Sequence, residues 1–277
     1  MTTTPPRVLT VAGTDSGGGA GVAADLRTFA VCGVHGCVAV TAVTVQNSVG
    51  VTGVHVLPPE TVAAQIESVA TDIGLDAVKT GMLAGREVIG AVVEAFGRAG
   101  IGAGASTPLV VDPVAASMHG DPLLASDALD AYRRDLFPLA TLITPNLDEV
   151  RLLTGVDVHD RAGQYDAAKV LHGLGPRYVL VKGGHLVEDG DVCVDLLFDG
   201  DAFTELPGPR FATAHTHGGG DTMAAATAAA LARGLDVPAA VAFGKRVVTE
   251  GVRHSYPLGA GHGPVSPLWA VPPWWED

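Results

Sequence analysis

The residue run with the clearest chemical potential is Thr216-His217-Gly218-Gly219-Gly220-Asp221, which stands directly before an alanine-rich helical stretch. Consecutive glycines let the backbone bend so that several N–H groups point at one spot, and the following helix adds its unsatisfied N–H groups and the positive end of its dipole. Together they make an anion hole with the Asp221 carboxylate beside it. Such a site is suited to transferring a phosphoryl group to an alcohol. The alternative is that Asp221 only caps the helix after a glycine turn.

Further polar residues follow predicted strands elsewhere in the chain. Asn146 and Glu149 share a face at a helix start, where a carboxylate could hold Mg²⁺ through water, although the same pair also fits a helix-capping arrangement. Lys182 precedes two glycines and can meet a phosphate as a point charge. Asp112 comes directly after an apolar strand and is a second Mg²⁺ candidate. Ligands of parallel α/β sheets bind beyond the carboxyl ends of the strands, so we expect these residues to meet there.

The elements that must position these residues alternate between short apolar strands and helices of 10 to 15 residues. We expect strands at residues 7–12, 36–45, 109–111 and 178–182, among others, and a hairpin around Asp199-Gly200. This alternation predicts βαβ crossovers, hence an α/β fold with a mainly parallel sheet and helices on both faces. We expect residues 1–6 to form a disordered tail and residues 7–277 a single domain.

Composition narrows the class of protein. The chain has 277 residues, of which 47% are hydrophobic and 17% charged, and this excludes a disordered chain. A net charge of −13 argues against nucleic-acid binding and against docking on anionic membranes. No apolar run is long enough for a membrane span, and the first residues do not resemble a signal peptide. Cys32, Cys37 and Cys193 form no C-x-x-C pair, so we expect buried thiols and a cytoplasmic location.

The glycine-rich stretch at residues 13–21 joins the first strand to the first helix and invites a dinucleotide-binding interpretation. The fingerprint is incomplete, because Val22 stands where its third glycine belongs, and no G-K-[ST] of a P-loop is present. No clear ribose-binding acid follows a second strand near residue 45. An NAD-dependent oxidoreductase is therefore the weaker hypothesis.

Five motifs, taken in order, resemble the hydroxymethylpyrimidine/phosphomethylpyrimidine kinases of thiamine biosynthesis, which belong to the ribokinase-like superfamily. The resemblance runs from about residue 7 to the end of the chain. The motifs are Gly13-Thr14-Asp15 with Ala24-Asp25-Leu26, Thr44-Val45-Gln46-Asn47, Lys79-Thr80-Gly81-Met82-Leu83, Thr144-Pro145-Asn146-Leu147 with Glu149, and Val181-Lys182-Gly183-Gly184-His185.

This resemblance implies a three-layer α/β/α sandwich and the phosphorylation of 4-amino-5-hydroxymethyl-2-methylpyrimidine on its hydroxymethyl group. The donor would be ATP with Mg²⁺, many family members also phosphorylate the resulting monophosphate, and we expect a homodimer. A pyridoxal or pyridoxine kinase of the same superfamily is the close alternative, since that ring is similar in size and also carries a hydroxymethyl group. A non-catalytic pyrimidine-binding protein is disfavoured because Asp221, Lys182 and Glu149 are all present.

The resemblance also implies roles for individual residues. Gln46 would read the pyrimidine edge, since an amide both donates and accepts hydrogen bonds. The substrate pocket would contain Gly13, Asp25, Gln46, Met82 and Val114. ATP would be bound by Lys182, Asn146 and Thr216. The metal would be held by Asp112 and Glu149. The catalytic group would be Asp221, with Gly218, Gly219 and Gly220 as the anion hole.

Two departures from the family pattern stand out. The family's anion hole usually reads G-T-G-C, whereas this chain has Asp221 in the place of the cysteine. Aspartate is the general base of ribokinase-like sugar kinases, so this change is compatible with kinase chemistry. The run Ser117-Met118-His119-Gly120-Asp121 lacks the lysine that the family usually has there, so we expect the second phosphorylation to be the slower one. His215 and His217, beside the anion hole, are predicted to be structural.

Overall fold

The fold is built on a central sheet whose strands carry the site residues at their ends. A computed structural model describes residues 4–114, 126–184, 186 and 190–271. The strands are β1 (Arg7–Ala12), β2 (His35–Val40), β3 (Ala42–Asn47), β4 (Gly50–Val56), β5 (Ala77–Thr80), β6 (Leu109–Val111), β7 (Leu142–Ile143), β8 (Tyr178–Val181), β9 (Val192–Phe198) and β10 (Phe203–Pro209). Among the described residues eight of them form one sheet in the order β10-β9-β8-β7-β6-β5-β1-β2. Pairing is parallel from β2 to β8, and antiparallel for β8–β9 and β9–β10.

Helices cover both faces of this sheet. One face carries α1 (Gly21–Val31), α7 (Gly219–Ala232) and α8 (Val237–Arg253), and the other carries α2 (Pro59–Asp72), α3 (Arg86–Ala99), α4 (Ser126–Ala131), α5 (Leu147–Thr154) and α6 (Arg161–His172). After α4 the chain continues through a π-helical turn, Tyr132–Leu136, and a 3-10 turn, Phe137–Leu139, and another 3-10 turn lies at Pro267–Ala270. Alternate strand residues enter the two apolar layers, so that Val110 packs on one side and Val111 on the other. The predicted α/β/α sandwich is confirmed.

The alanine-rich α7 is packed tightly against its neighbours. Its residues from Thr222 to Leu231 are all buried, because small side chains let other elements approach on every side. Gly244 in α8 serves the same contact, since a Cβ there would lie 2.3 Å from the Thr227 hydroxyl. Close packing therefore fixes the position of the α7 N-terminus, which carries Asp221.

The prediction of one strand over residues 36–45 is wrong. The chain leaves the main sheet at Thr41, whose N–H donates to Ala12 of β1 and whose carbonyl accepts from Leu57, and β3 then pairs with β4 in a separate two-stranded hairpin. The apolar, β-branched residues continue across this break, so local composition contains no signal for it. The hairpin has a register shift between Val45 and Gln46.

Among the described residues, no helix is long and apolar enough to cross a membrane.

Candidate active site

The site lies at the carboxyl edge of the parallel strands, where the predicted residues follow one strand after another. Gly13 follows β1, Met82 lies just beyond β5, Asp112 follows β6, and Lys182 follows β8. Asn146 begins α5 after β7. The parallel pairing of these strands brings their carboxyl ends to the same edge, as the sequence predicted.

The N-terminus of α7 forms the predicted glycine turn. Gly218 caps the helix with φ +75°, a left-handed conformation that glycine adopts without strain. Gly219 donates its N–H to the Thr216 carbonyl and Thr222 donates to the Gly218 carbonyl. The N–H groups of Gly220 and Asp221 donate to no acceptor among the residues that the structure describes. These two donors and the helix dipole make an anion-binding end.

Asp221 lies in the first turn of α7 and is bound from two directions. Its Oδ1 lies 2.8 Å from Lys79 Nζ, and its Oδ2 accepts from the Gly21 N–H at 3.2 Å. Burial acts to raise the pKa of Asp221, but the Lys79 charge outweighs it and holds that pKa below the ordinary value. Asp221 is therefore a carboxylate at neutral pH, and its side chain keeps 14% of its surface exposed.

A second ion pair lies beside the glycine turn. Lys182 Nζ lies 2.9 Å from Asp112 Oδ1, which also accepts from the Thr144 hydroxyl at 2.9 Å. A Cβ placed on Gly220 would lie 3.2 Å from Lys182 Nζ and 3.3 Å from Asp112 Oδ2. Burial alone would lower the pKa of Lys182, but the carboxylates of Asp112 and Glu149 raise it. A fixed positive charge thus lies next to the anion-binding end of α7.

Asn146 and Glu149 form the capping arrangement that the sequence allowed as one interpretation. The Asn146 side chain accepts from the Glu149 N–H at 2.9 Å, and Glu149 Oε2 accepts from the Asn146 N–H at 2.8 Å. Glu149 also interacts with the Lys182–Asp112 pair. Burial raises the pKa of Glu149 to about 7, the Lys182 charge opposes that rise, and the Asp112 charge adds to it. Capping and an interaction with the Lys182–Asp112 pair are therefore compatible for this residue.

The residues assigned to the pyrimidine lie around the first glycine loop, residues 13–21. A Cβ on Gly13 would lie 2.4 Å from Met82 Cε, so the two residues are adjacent and the methionine end would have to shift to admit a larger residue. The backbone of Gln46 is bound to the same loop through Ser16. The Gln46 carbonyl accepts from the Ser16 hydroxyl at 2.6 Å, and the Gln46 N–H donates to the Ser16 hydroxyl oxygen at 2.8 Å. The Gln46 side chain accepts from the Thr44 hydroxyl at 3.2 Å.

The remaining predicted residues are placed less directly. Val114 donates its N–H to the Asp112 carbonyl, beyond β6. Thr216 is exposed, and its carbonyl is the group that contacts the glycine turn. Asp25 is completely buried, with both oxygens bonded to Lys79, so its side chain lies behind Asp221 and does not face the open side of the site. Residues 117–121 and His185 lie outside the described residues.

The two glycine-rich loops are bound to each other by Asp15 and His217. Asp15 accepts from the N–H groups of Gly17, Gly19 and Ala20, and its Oδ2 lies 2.9 Å from His217 Nε2. Burial acts to raise the pKa of Asp15, but the bonds from His217 and the loop N–H groups lower it below the ordinary value. His217, predicted to be structural, therefore joins the loop after β1 to the turn before α7.

Sequence reasoning missed Lys79. In the sequence this residue stands out only as part of the family motif, yet its Nζ contacts both Asp25 and Asp221, and its side chain is completely buried in β5. The available signal was a lysine inside a short strand, Ala77–Thr80, in which all four residues are buried. A lysine in such a place requires carboxylate partners.

Comparison with known proteins places the chain in a family. The profile of the phosphomethylpyrimidine kinase family matches residues 15–266. The hydroxymethylpyrimidine/phosphomethylpyrimidine kinase of Mycobacterium leprae is 60% identical over 270 residues, covering 96% of this chain and 95% of that protein. The thiamine biosynthesis bifunctional protein ThiED of Geobacter sulfurreducens is 46% identical over 264 residues, covering 95% of this chain and 52% of that protein.

Solved structures agree with this placement. The ADP complex of Bacillus subtilis pyridoxal kinase superposes with a TM-score of 0.87 at 35% identity, covering 96% of this chain and 98% of that one. The fold is thus that of a small-molecule kinase of the ribokinase-like type. The chain belongs to the phosphomethylpyrimidine kinase family. The resemblance seen in the sequence is confirmed, as is the assignment to the phosphotransferases of thiamine biosynthesis.

Proposed function

We propose that the chain transfers the γ-phosphoryl group of ATP to the hydroxymethyl oxygen of 4-amino-5-hydroxymethyl-2-methylpyrimidine, with Asp221 as the general base. The observation that supports this best is the grouping at the α7 N-terminus. There an ionised carboxylate, two backbone N–H donors and the Lys182–Asp112 pair lie around one glycine turn. This is the combination that phosphoryl transfer to an alcohol requires.

In this mechanism Asp221 accepts the proton of the alcohol as the oxygen attacks the γ-phosphorus. The bond from that phosphorus to the bridging oxygen of ATP breaks, and ADP leaves with the electron pair. The N–H groups of Gly220 and Asp221 and the Lys182 ammonium stabilise negative charge on the transferred group. Because these donors belong to a helix end and a buried ion pair, they need no reorganisation during the reaction.

ATP as the donor is supported by the related kinase that was crystallised with ADP. Lys182 contacts the phosphates in this proposal, together with Asn146, which begins α5, and Thr216, which precedes the glycine turn of α7.

Mg²⁺ fits the residues at this end of the site. No cluster of three or more His, Cys, Asp or Glu side chains suited to a metal is found in the described part of the chain. Mg²⁺ usually takes only one or two carboxylates together with waters and substrate phosphates. Asp112 and Glu149 interact electrostatically and can supply those carboxylates. When bound, the ion would neutralise charge on the phosphates of ATP.

The pyrimidine would occupy the space beside the first glycine loop. In this proposal the Gln46 amide reads the ring edge, and Gly13, Met82 and Val114 supply the surrounding surface. The buried Asp25 contributes through Lys79 instead of by direct contact.

Pyridoxal is the second candidate substrate, because the B. subtilis pyridoxal kinase superposes so closely on this chain. The greater identity to pyrimidine kinases over nearly the whole chain favours the pyrimidine. An ATP-consumption assay with the pyrimidine alcohol, its monophosphate and pyridoxal separates the two, and a kcat/KM highest for pyridoxal would overturn the assignment.

The test of the chemistry is Asp221→Asn. Asparagine keeps the shape and the helix position but cannot take the proton, so we expect turnover to fall by about 10²–10⁴-fold with an unchanged melting temperature. Asp76→Asn is a matched control, because Asp76 forms an ion pair with Arg7 at the amino end of the sheet. Asp221→Asn turnover equal to that of Asp76→Asn would show that Asp221 is only a cap.

We also propose a homodimer, a cytoplasmic location and a single domain over residues 7–277. The hairpin exposes Val43 and Val45, apolar side chains that a second copy could cover. Cys32 and Cys37 are buried free thiols, as is usual in a reducing compartment. A single sheet contains strands from between residues 7 and 209 of the chain, and this supports one domain. Light scattering measures the mass in solution, and a monomeric mass would overturn the dimer.

A further inference from the structure

The base of the proposed reaction belongs to a buried chain of three charges. Lys79 Nζ lies 2.8 Å from Asp221 Oδ1 and 2.9 Å from both oxygens of Asp25. The side chains of Lys79 and Asp25 have no exposed surface. Thr10 completes the arrangement by donating its hydroxyl to Asp25 Oδ2 at 2.5 Å. The three charged residues come from β5, α1 and α7, and we call them the charge triad.

We propose that Asp25 and Lys79 are positioning residues for Asp221: they hold it as an oriented carboxylate before phosphoryl transfer, and Asp25 keeps Lys79 paired once Asp221 has accepted the alcohol's proton. This inference rests on the proposed function, because it assigns Asp221 the role of base.

The balance of charge explains why a second carboxylate is needed. Before transfer, at a pH above the pKa of Asp25, the triad holds two carboxylates and one ammonium, a net charge of −1. When the alcohol O–H bond breaks, its proton binds Asp221, and the triad becomes neutral. Lys79 then still has Asp25 as its partner. If Asp25 were absent, protonating Asp221 would leave a buried ammonium without a counter-ion, which is strongly unfavourable. A simple ion pair would therefore oppose the base, whereas the triad allows it to take up a proton.

Burial and the neighbouring charges set the pKa values of Lys79 and Asp25. Burial acts to lower the pKa of Lys79, but Asp221 and Asp25 raise it above the ordinary value, so the lysine stays charged throughout. Burial raises the pKa of Asp25 to about 7, with Lys79 opposing and Asp221 adding to the rise.

Other elements add smaller contributions to the charge of the triad. Lys182, after β8, and the Gly21 N–H, at the start of α1, favour the charged form of Asp221. Asp112, after β6, favours the charged form of Lys79. Glu149 of α5 and Asp221 repel each other. None of these groups shares the direct contacts that join Lys79 to its two carboxylates.

The experiment compares Asp25→Asn, Lys79→Met and the double variant with the wild type, each in the full chain. Single-turnover rates are measured across pH with saturating ATP and with the enzyme in excess over the pyrimidine alcohol, so that the chemical step is observed. For Asp25→Asn we expect a rate at least about 10-fold lower and an acid limb shifted to lower pH, because Lys79 then pairs with Asp221 alone. For Lys79→Met we expect the acid limb to move to higher pH, because the two carboxylates then face each other without a cation.

The double variant separates this role from a merely structural one. It replaces the buried charges by neutral groups around Asp221, so we expect its acid limb to return toward the wild-type position and its rate to exceed that of Asp25→Asn. Asp76→Asn is the control for loss of an ion pair and should leave the pH profile unchanged. Should a single variant fail to fold, the double variant still decides, since neutral replacement of buried ions is usually tolerated.

The outcomes distinguish the two proposals. Wild-type rate and pH profile in Asp25→Asn and in the double variant would overturn the triad while leaving Asp221 as the base. Lower rates with unshifted pH limbs in all three variants would also overturn it, because that is the pattern of a structural role. Full activity of Asp221→Asn would overturn the proposed base and the triad together.

Discussion

Replacing the three glycines before Asp221 by alanine, one at a time, tests whether the α7 N-terminus is a phosphate site. Each added methyl group would meet different surroundings. At Gly218 it would lie 2.0 Å from the carbonyl oxygen of Gly19. At Gly219 its nearest neighbour would be Val265 Cγ1 at 3.7 Å, which is ordinary contact. At Gly220 it would lie between Lys182 and Asp112.

Gly218→Ala is expected to damage both stability and activity. An L-residue in the left-handed conformation costs about 1–2 kcal/mol, and relieving overlap with backbone costs about 1–3 kcal/mol more. We therefore expect a loss of about 2–5 kcal/mol in the free energy of unfolding, or roughly 3–9 °C in Tm for a chain of this size. The shift would also displace the helix end from Lys182, so that kcat should fall by about 10²-fold or more.

Gly219→Ala is the matched control. It adds the same methyl group one residue later, at a position without positive φ, and alanine favours the helix. We expect a Tm equal to the wild type or slightly higher, and unchanged kcat.

Gly220→Ala should separate activity from stability. Its methyl group would contact Lys182 Nζ at 3.2 Å, and a flexible side chain can yield by a few tenths of an ångström, so the Tm should hardly change. The same methyl group would shield Lys182 and Asp112 from a phosphate, and we expect kcat/KM for ATP to fall by about 10–10²-fold.

The assays are thermal unfolding and steady-state kinetics with ATP varied. Equal losses in the Gly219 and Gly218 variants would refute the conformational argument. Wild-type kcat/KM in Gly220→Ala would show that no phosphate binds between Lys182 and Asp112.

Further predictions concern the substrates and the ionisation of the site. Gln46→Ala should weaken binding of the pyrimidine by about 1–3 kcal/mol and leave ATP binding unchanged, as measured by calorimetry; equal losses for both would contradict the assignment. Lys182→Met should raise KM for ATP and lower kcat, with KM for the pyrimidine little affected in initial-rate measurements. Glu149→Gln, which can retain the capping bonds, should increase the free energy of unfolding at pH 8 but not at pH 4 in urea titrations without Mg²⁺. The reason is that a folded pKa raised to about 7 destabilises the fold progressively as pH rises from the unfolded pKa toward 7, and the loss persists above it. Phosphorylation of the alcohol should be faster than that of the monophosphate, because Met118 and His119 stand where the family usually has a lysine, and product analysis over time measures both steps.

Much of the site could be predicted because its residues follow strands directly. Asp112, Lys182 and Asn146 come at the ends of apolar runs, and the order of strands and helices already indicates a parallel sheet. In such a sheet the carboxyl ends of the strands share one edge, so the parallel arrangement alone implies that these residues lie near one another. The glycine turn before Asp221 was equally visible, since a glycine run before a helix has few other uses. Local sequence patterns were sufficient for each of these.

Contacts between distant segments were decided only by the tertiary structure. Lys79 binds Asp25 and Asp221 because β5 pairs with β1 and because α1 and α7 cover the same face of the sheet. Asp15 meets His217 across 202 residues of chain for a similar reason. Sequence periodicity reports which side of its own element a residue occupies, and it contains no information on which strands become neighbours. The sequence by itself therefore determined the family and the layers, and it predicted which residues lie together at the carboxyl edge of the strands. The partners of the buried charges depended on packing between elements far apart in the chain.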